Sequence, residues 1–451
     1  MFMFTRAFLM VGLFVTVPLW AQEQASAPVV DTTASTSAED SQMFVPPPVS
    51  GASYATEGTS QDRSNYLRGG LTFNTAYTDN LLQGTSTKEI SDVSYSIWPT
   101  IALDETTTRV KATFTYSPGF TFYQHTSSRN EADQNFNADF RYRLSPHVTL
   151  SLRDTLHKSS NVFNQLEPLG AIPVSGSAQA PTIGVIAPVA DQLNNNGNAE
   201  LTYQFSPNAM IGASGTFTNL YFLDSSQTPG LSNSNSSGGS AFYNHRLSKK
   251  NYIGATYQYN RFVTYPVGAQ SVSQTNGILL FYTIYLQPTL SLSFSGGPQH
   301  TDLSQSPFRS FHQWSPAGTA SLGWQGHHTG ISASYSRIVT GGGGLVGAFH
   351  SNNANGSVRQ QLSPNWSAGV TGSYSIYKTV DPFSALSSTT GGHTVTGSAS
   401  VQRTLGQHFN GEAGYTRLHQ SYDNIAAIAN FPNVNREWIS ITYQLVRPLG
   451  R

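Results

Sequence analysis

Apolar and polar side chains alternate with a period of two along most of the chain beyond residue 66. In 135–144 the even positions are Phe136, Ala138, Phe140, Tyr142 and Leu144, while the odd ones are Asn135, Asn137, Asp139, Arg141 and Arg143. Val110, Ala112, Phe114 and Tyr116 interleave with Arg109, Lys111, Thr113 and Thr115 in the same way. The pattern returns in 200–205, 290–295 and 439–445. Successive side chains of a strand point to opposite faces, so each segment predicts a strand with one apolar and one polar face. Two segments depart from this. Residues 278–286 are apolar on both faces, and Asp154 interrupts the face of Leu150, Leu152 and Leu156. A bulge or a position at headgroup level would accommodate Asp154.

Turn signals divide these strands into pairs. They fall at Asp104-Glu105, Ser145-Pro146, Ser206-Pro207, Ser248-Lys249, Gln287-Pro288, Gln325-Gly326, Ser363-Pro364 and Gly406-Gln407. Ser, Pro and Gly supply the backbone angles and local hydrogen bonds of tight turns. Most intervals hold about 40 residues, enough for two strands and a longer loop at the opposite end. Two further strands before the first turn, near 66–80 and 91–103, and two after the last, near 408–420 and 434–446, bring the expected count to eighteen, with 16–18 compatible.

A soluble sandwich would cover both faces, and a propeller or solenoid would also repeat strands. The one-sided apolar face, the Ser/Thr/Asn/Arg face opposite it and the alternation of short turns with long loops instead predict an all-β, closed antiparallel transmembrane β-barrel. Residues 1–21 read as an export signal: Arg6 is followed by the apolar run Ala7–Leu19 and a small residue at Ala21. Residues 22–65 read as a flexible acidic linker, with Pro46-Pro47-Pro48 and six acids against Arg63 alone. The barrel is then 66–451. Only 11% of the 451 residues are charged and none is Cys, so a disulfide scaffold and a thiolate metal site are excluded. Basic and acidic residues balance at 24 each, but the 66–451 body holds 22 basic against 18 acidic.

On strand runs such as 109–122 and turn–strand units such as Leu144-Ser145-Pro146-His147-Val148-Thr149-Leu150, the chain resembles the porin-type outer-membrane barrels of Gram-negative bacteria. It is most similar to the β-barrel porin 2 family, often linked with exopolysaccharide export. The resemblance implies an outer-membrane location, insertion by the barrel-assembly machinery, and a channel for small solutes or for polysaccharide. Such barrels usually end on an aromatic residue. This chain carries Tyr443 and Leu445 but continues to Arg451. An even strand number places both termini in the periplasm. The alternative is a non-conducting structural or adhesive surface barrel that works through its external loops.

Candidate chemistry lies in the lumen. Strand alternation turns Arg109, Lys111, Arg141, Arg143, Arg246 and Arg359 to the polar face within about six residues of a short turn, with Asp139 and Glu200 as partial counterweights. They either raise the local anion concentration or brace the wall through ion pairs. The long connection 159–193 carries Glu167 and Asp191 together with Ile183, Val185, Ile186 and Val189. It is expected either to fold into the lumen as a constriction loop or to cap the mouth. Tyr116, Tyr142, Tyr203, Tyr257, Tyr259, Trp324, Tyr335, Trp366 and Tyr443 lie on apolar rows, as membrane girdles or through plain β-propensity. Gly341-Gly342-Gly343-Gly344 lacks a following Lys and reads as the flexible tip of an exposed external loop in 341–350; His327-His328 reads as a solvated turn. No nucleophile elbow, phosphate loop or zinc-protease motif occurs, so no enzyme, cofactor, metal or nucleic-acid partner is expected, and the oligomeric state has no signature.

Overall fold

The computed structural model describes residues 65–81, 89–161, 189–224, 228, 230–266, 269–287, 289–306, 310–381, 391–423 and 433–448. The expectations for the export signal and for residues 22–64, Glu167, Ile183, Val185 and Ile186 lie outside them. The described residues form eighteen antiparallel strands: β1 Tyr66–Thr78, β2 Asp92–Thr106, β3 Val110–Tyr123, β4 Glu131–Arg143, β5 Val148–Asn161, β6 Val189–Ser206, β7 Ala209–Phe222, β8 Asn233–Ser248 and β9 Asn251–Tyr265 in the first half. The second half comprises β10 Gln270–Gln287, β11 Leu290–Ser306, β12 Ser310–Gln325, β13 Thr329–Thr340, β14 Phe349–Ser363, β15 Trp366–Thr379, β16 Gly391–Leu405, β17 Phe409–Tyr422 and β18 Asn433–Pro448.

Each strand pairs with its sequence neighbours, and β1 also pairs with β18, so the sheet closes on itself. Eighteen strands ~4.8 Å apart and tilted by ~40° enclose a backbone ring roughly 35 Å across. The seam runs from Tyr66 opposite Pro448 to Thr78 opposite Arg436. Thr72 Oγ1 and Thr442 Oγ1 bond across it at 2.9 Å, and Asp79 clamps the far end, accepting Asn435 N at 2.7 Å and Asn435 Nδ2 at 2.6 Å.

One end of the barrel carries the short turns, and local hydrogen bonding explains their sequences. Ser145, Ser206 and Ser248 each accept, on Oγ, the backbone N–H two residues ahead, at 3.2–3.3 Å. Thr107 does the same for Arg109 N, so the first turn is 107–109 and not 104–105. Arg109 therefore sits in a turn and not on a strand face. Gly406 opens the last turn at φ +73°, a conformation that side-chained residues rarely adopt.

The outward face carries the apolar row of every strand, with Ile101, Phe114, Leu201, Phe217, Ile278, Phe294, Val370 and Ile439 all exposed. Aromatic rings bound this band at both edges. Tyr142, Tyr203, Trp324, Trp366 and Tyr443 lie toward the short turns. Higher up, Tyr116, Tyr257, Tyr335 and Tyr415 each donate their hydroxyl to Gln134, Asn276, Asn352 and Asn435, respectively, on the following strand. The eight residues from Tyr142 to Gln134 span about 20 Å of barrel height at ~2.5 Å per tilted residue. Asp154 is outward at the height of the upper tyrosines, without a bulge, and accepts Asn195 Nδ2 at 2.9 Å. The register therefore rules out the bulge.

Large rings on the luminal face lie against glycines. A Cβ on Gly119, Gly212, Gly254, Gly392 or Gly414 would overlap Trp98, Phe242, Phe281, Tyr422 or Trp438, respectively, each on an adjoining strand. The missing side chain lets each ring lie flat on the wall and not stand into the lumen. Trp98 is 1% exposed, so it has no free space to enter. Gly119→Val is expected to destabilise the barrel by about 1–3 kcal/mol, the usual cost of overpacking. A urea unfolding midpoint equal to that of the unmodified protein would contradict this packing.

Candidate functional site

The luminal register is built from Ser, Thr, Asn and Gln. Hydroxyl pairs tie neighbouring strands together on this face: Thr100 with Ser117, Ser214 with Ser240, Thr283 with Ser293, Ser295 with Thr319, and Ser332 with Ser357. Such groups remain satisfied in water and leave the wall without strong charge.

The dominant feature of the lumen is the connection between β13 and β14. Residues 341–348 turn inward, and Leu345, Val346, Ala348 and the adjoining Phe349 are at most 3% exposed. Gly344 O accepts Ser232 N at 2.8 Å, Gly341 packs against Phe262, and Gly344 against Phe222 and Leu220. Those partners belong to or adjoin β7–β9, five to seven strands around the barrel from β14, so the segment is a strap spanning part of the lumen. Leu345 and Phe349 cluster with Tyr377 and Tyr422, and Ala348 with Leu303, Val339 and Val380. The expected flexible external tip at Gly341–Gly344 is therefore corrected. Gly342, Gly343, Gly344 and Gly347 have φ between +56° and +112°, and a Cβ on Gly342 or Gly344 would meet the ring of Phe349 or Phe222, respectively. The glycines serve a close approach and a left-handed path, and the apolar residues after them need cover from water.

β13 is bent to make the strap. Its pairing with β12 ends at Gly318–Arg337, although β12 continues to Ser310 beside β11. Beyond that point Val339 N donates to Gln299 Oε1 at 3.1 Å, drawing the strand inward. Strap and wall enclose a cavity of about 100 Å³ whose lining includes Thr216, Thr218, Ser236, Asn260, Phe262 and Ile338.

The sequence-derived charges are distributed as follows. Lys111, Arg141, Arg143, Arg246 and Arg359 hold luminal register near the short-turn end. Lys111 is opposite Arg141, and the same row continues through Ser151 to Glu200. Asp139 does not balance Arg141 or Arg143. Its Oδ2 accepts Arg153 Nη2 at 2.7 Å, a partner that the alternation of Ser151 and Arg153 against Leu150 and Leu152 could have revealed. Arg68 pairs with Asp104, and Arg359 lies within electrostatic reach of Glu412. Among the described residues Lys111, Arg141 and Arg143 form no ion pair. At the opposite end of β4, Glu131 and Asp133 are luminal, so this sector is basic toward the short turns and acidic toward the long loops. Asp191 is corrected as a constriction-loop residue: it lies within β6, on the register opposite to the buried luminal Gln192. β5 and β6 extend further than the sequence suggests and reduce that connection to 162–188, outside the described residues.

No family model matches the chain, and no curated protein matches it. Solved structures do. Pseudomonas aeruginosa OpdK with vanillate is 9% identical over 84% of this chain and 99% of that one, with a TM-score of 0.40. Acinetobacter baumannii OccAB4 is 10% identical over 86% and 100%, at 0.41. The FrpB iron transporter from Neisseria meningitidis is 12% identical over 83% and 66%, at 0.43.

The absence of native cysteine makes the strap directly testable. Leu345→Cys is expected to resist a water-soluble maleimide in the folded protein. Adding Gly344→Val, which is strained at φ +97° and presses on Phe222, should unseat the strap and expose the thiol. Rapid labelling of Leu345→Cys alone would place the strap outside the lumen.

Proposed function

We propose that the protein is an outer-membrane channel for passive passage of small hydrophilic solutes. The observation that carries this reading is a closed barrel, apolar outside and polar within, whose lumen is narrowed but not replaced by an internal strap. Closure satisfies the backbone groups that lipid cannot, and the outward band with its two aromatic edges suits a bilayer. The short-turn end then faces the periplasm together with Tyr66 and Pro448, and Tyr443 and Leu445 are what the barrel-assembly machinery reads. The similarity to the β-barrel porin 2 family rests on sequence pattern. A strap across the lumen argues against a polymer as cargo, so small solutes are the reading supported here. The basic patch at Lys111, Arg141 and Arg143 favours anions weakly, since the Debye length is ~8 Å at physiological salt and the patch lies on one side of a wide lumen.

Purified protein in a planar bilayer is expected to give discrete conductance steps, and replacing 341–348 with Asn-Gly should enlarge them. Absence of any conductance would favour a structural or adhesive barrel. Reversal potentials should show slight anion preference at low salt, diminished by Arg141→Gln with Arg143→Gln. Cation preference in the unmodified protein would overturn the assignment of that patch.

A further inference from the structure

The outward face of β13–β17 carries an arc of cations just beyond the upper tyrosines. Arg337 and Arg417 stand two residues past Tyr335 and Tyr415, and Lys378 stands four past Tyr374, in each case on the same face. All three cations are exposed. His350 is directly opposite Lys378, and His393 stacks near both Tyr374 and His419. These five strands contain one acid, Glu412, and it has luminal register toward the short turns. Glu437 on β18 borders the arc opposite Tyr415. Among the described residues none of Arg337, Lys378 and Arg417 makes an ion pair.

Arg337, Lys378 and Arg417 lie on the alternate strands β13, β15 and β17, and no acid on those strands or on β14 and β16 shares their face. Two outward acids are partnered within the wall, while Arg261 on β9 is a further outward cation without an ion pair among the described residues. Asp302 is held by His312 at 2.5 Å and His300 at 3.3 Å, and Asp154 by Asn195. The three cations of the arc have no acid on the same face of their strands to pair with and are left for an external anion. The height of the arc identifies that anion's source. The tyrosine hydroxyls bonded to Asn352 and Asn435 mark the edge of the apolar band, and the cations begin where that band ends. We propose that this arc binds the phosphate groups of lipid headgroups in the leaflet at the long-loop end, with guanidinium forks and the Lys378 ammonium as donors. A second copy of the chain fits less well, because the outward Asp154 and Asp302 are already engaged and form no matching acidic arc.

The inference rests on the membrane-barrel reading but not on conduction. Detergent-solubilised protein would be titrated with phosphatidic acid, and separately with phosphatidylcholine, and retained lipid counted by native mass spectrometry. The unmodified protein is expected to retain phosphatidic acid selectively. Arg337→Gln, Lys378→Gln and Arg417→Gln together should weaken retention by roughly tenfold to a hundredfold. Arg403→Gln, whose guanidinium sits 5.0 Å over Trp366 near the short turns, should leave it unchanged. Lys378→Gln alone serves if the triple variant fails to fold, and should weaken retention in part. Equal retention of both lipids, or no loss in these variants, would overturn the proposal. So would a change in oligomeric state without lipid loss, which would assign the arc to contact between copies. A protein that retains lipid but never conducts would sink the channel reading and leave this one standing.

Discussion

Pairing of β1 with β18 is the interaction on which the structure depends. Until those strands meet, each offers a row of unpaired N–H and C=O groups at a sheet edge, and burial of one unpaired group costs about 1–3 kcal/mol. The seam joins residues some 370 positions apart, so its pairing carries a larger loop-closure entropy than any strand pair joined by a short turn. That explains why its outer end is held by more than the ladder. Asp79 takes two hydrogen bonds from Asn435, and Asn435 in turn accepts the hydroxyl of Tyr415, linking β17, β18 and the segment after β1.

Closure leaves a polar lumen far wider than a small solute, and the strap is the answer built on it. Its glycines allow the chain to approach β7–β9, while Leu345, Val346 and Phe349 supply apolar contacts that keep it folded inward. The same economy appears on the wall, where luminal rings lie flat over glycines. Beside the strap the wall is lined mostly by hydroxyl and amide side chains, with basic groups in one sector toward the short turns.

Some of this was legible before any coordinates. Period-two alternation in 135–144 and 439–445 assigns faces without knowledge of neighbours, and Ser-Pro and Ser-Lys turns carry their own hydrogen bonds. Hence strand number, strand order and the luminal register of Lys111, Arg141 and Arg143 could be read directly. The first turn was misplaced by about three residues, because Asp104-Glu105 resembles a turn while Thr107 makes it. Asp191 was read as part of a long loop because β6 begins with Val189, where apolar content fits a strand or a buried loop equally well.

Local alternation and turn chemistry, which act over a few residues, determined the barrel from the sequence alone. The path of 341–348 was decided by tertiary structure. A Gly tetrad followed by apolar residues is compatible with a wet external loop or a buried strap, and only the rings of Phe222 and Phe262 across the lumen distinguish them. The same holds for Asp139, whose choice of Arg153 over Arg141 depends on cross-strand register. The cationic arc of β13–β17 likewise emerges only when strand pairing sets Arg337, Lys378 and Arg417 on one outward face. Contacts between distant segments depend on three-dimensional neighbours, which a period along the chain does not encode.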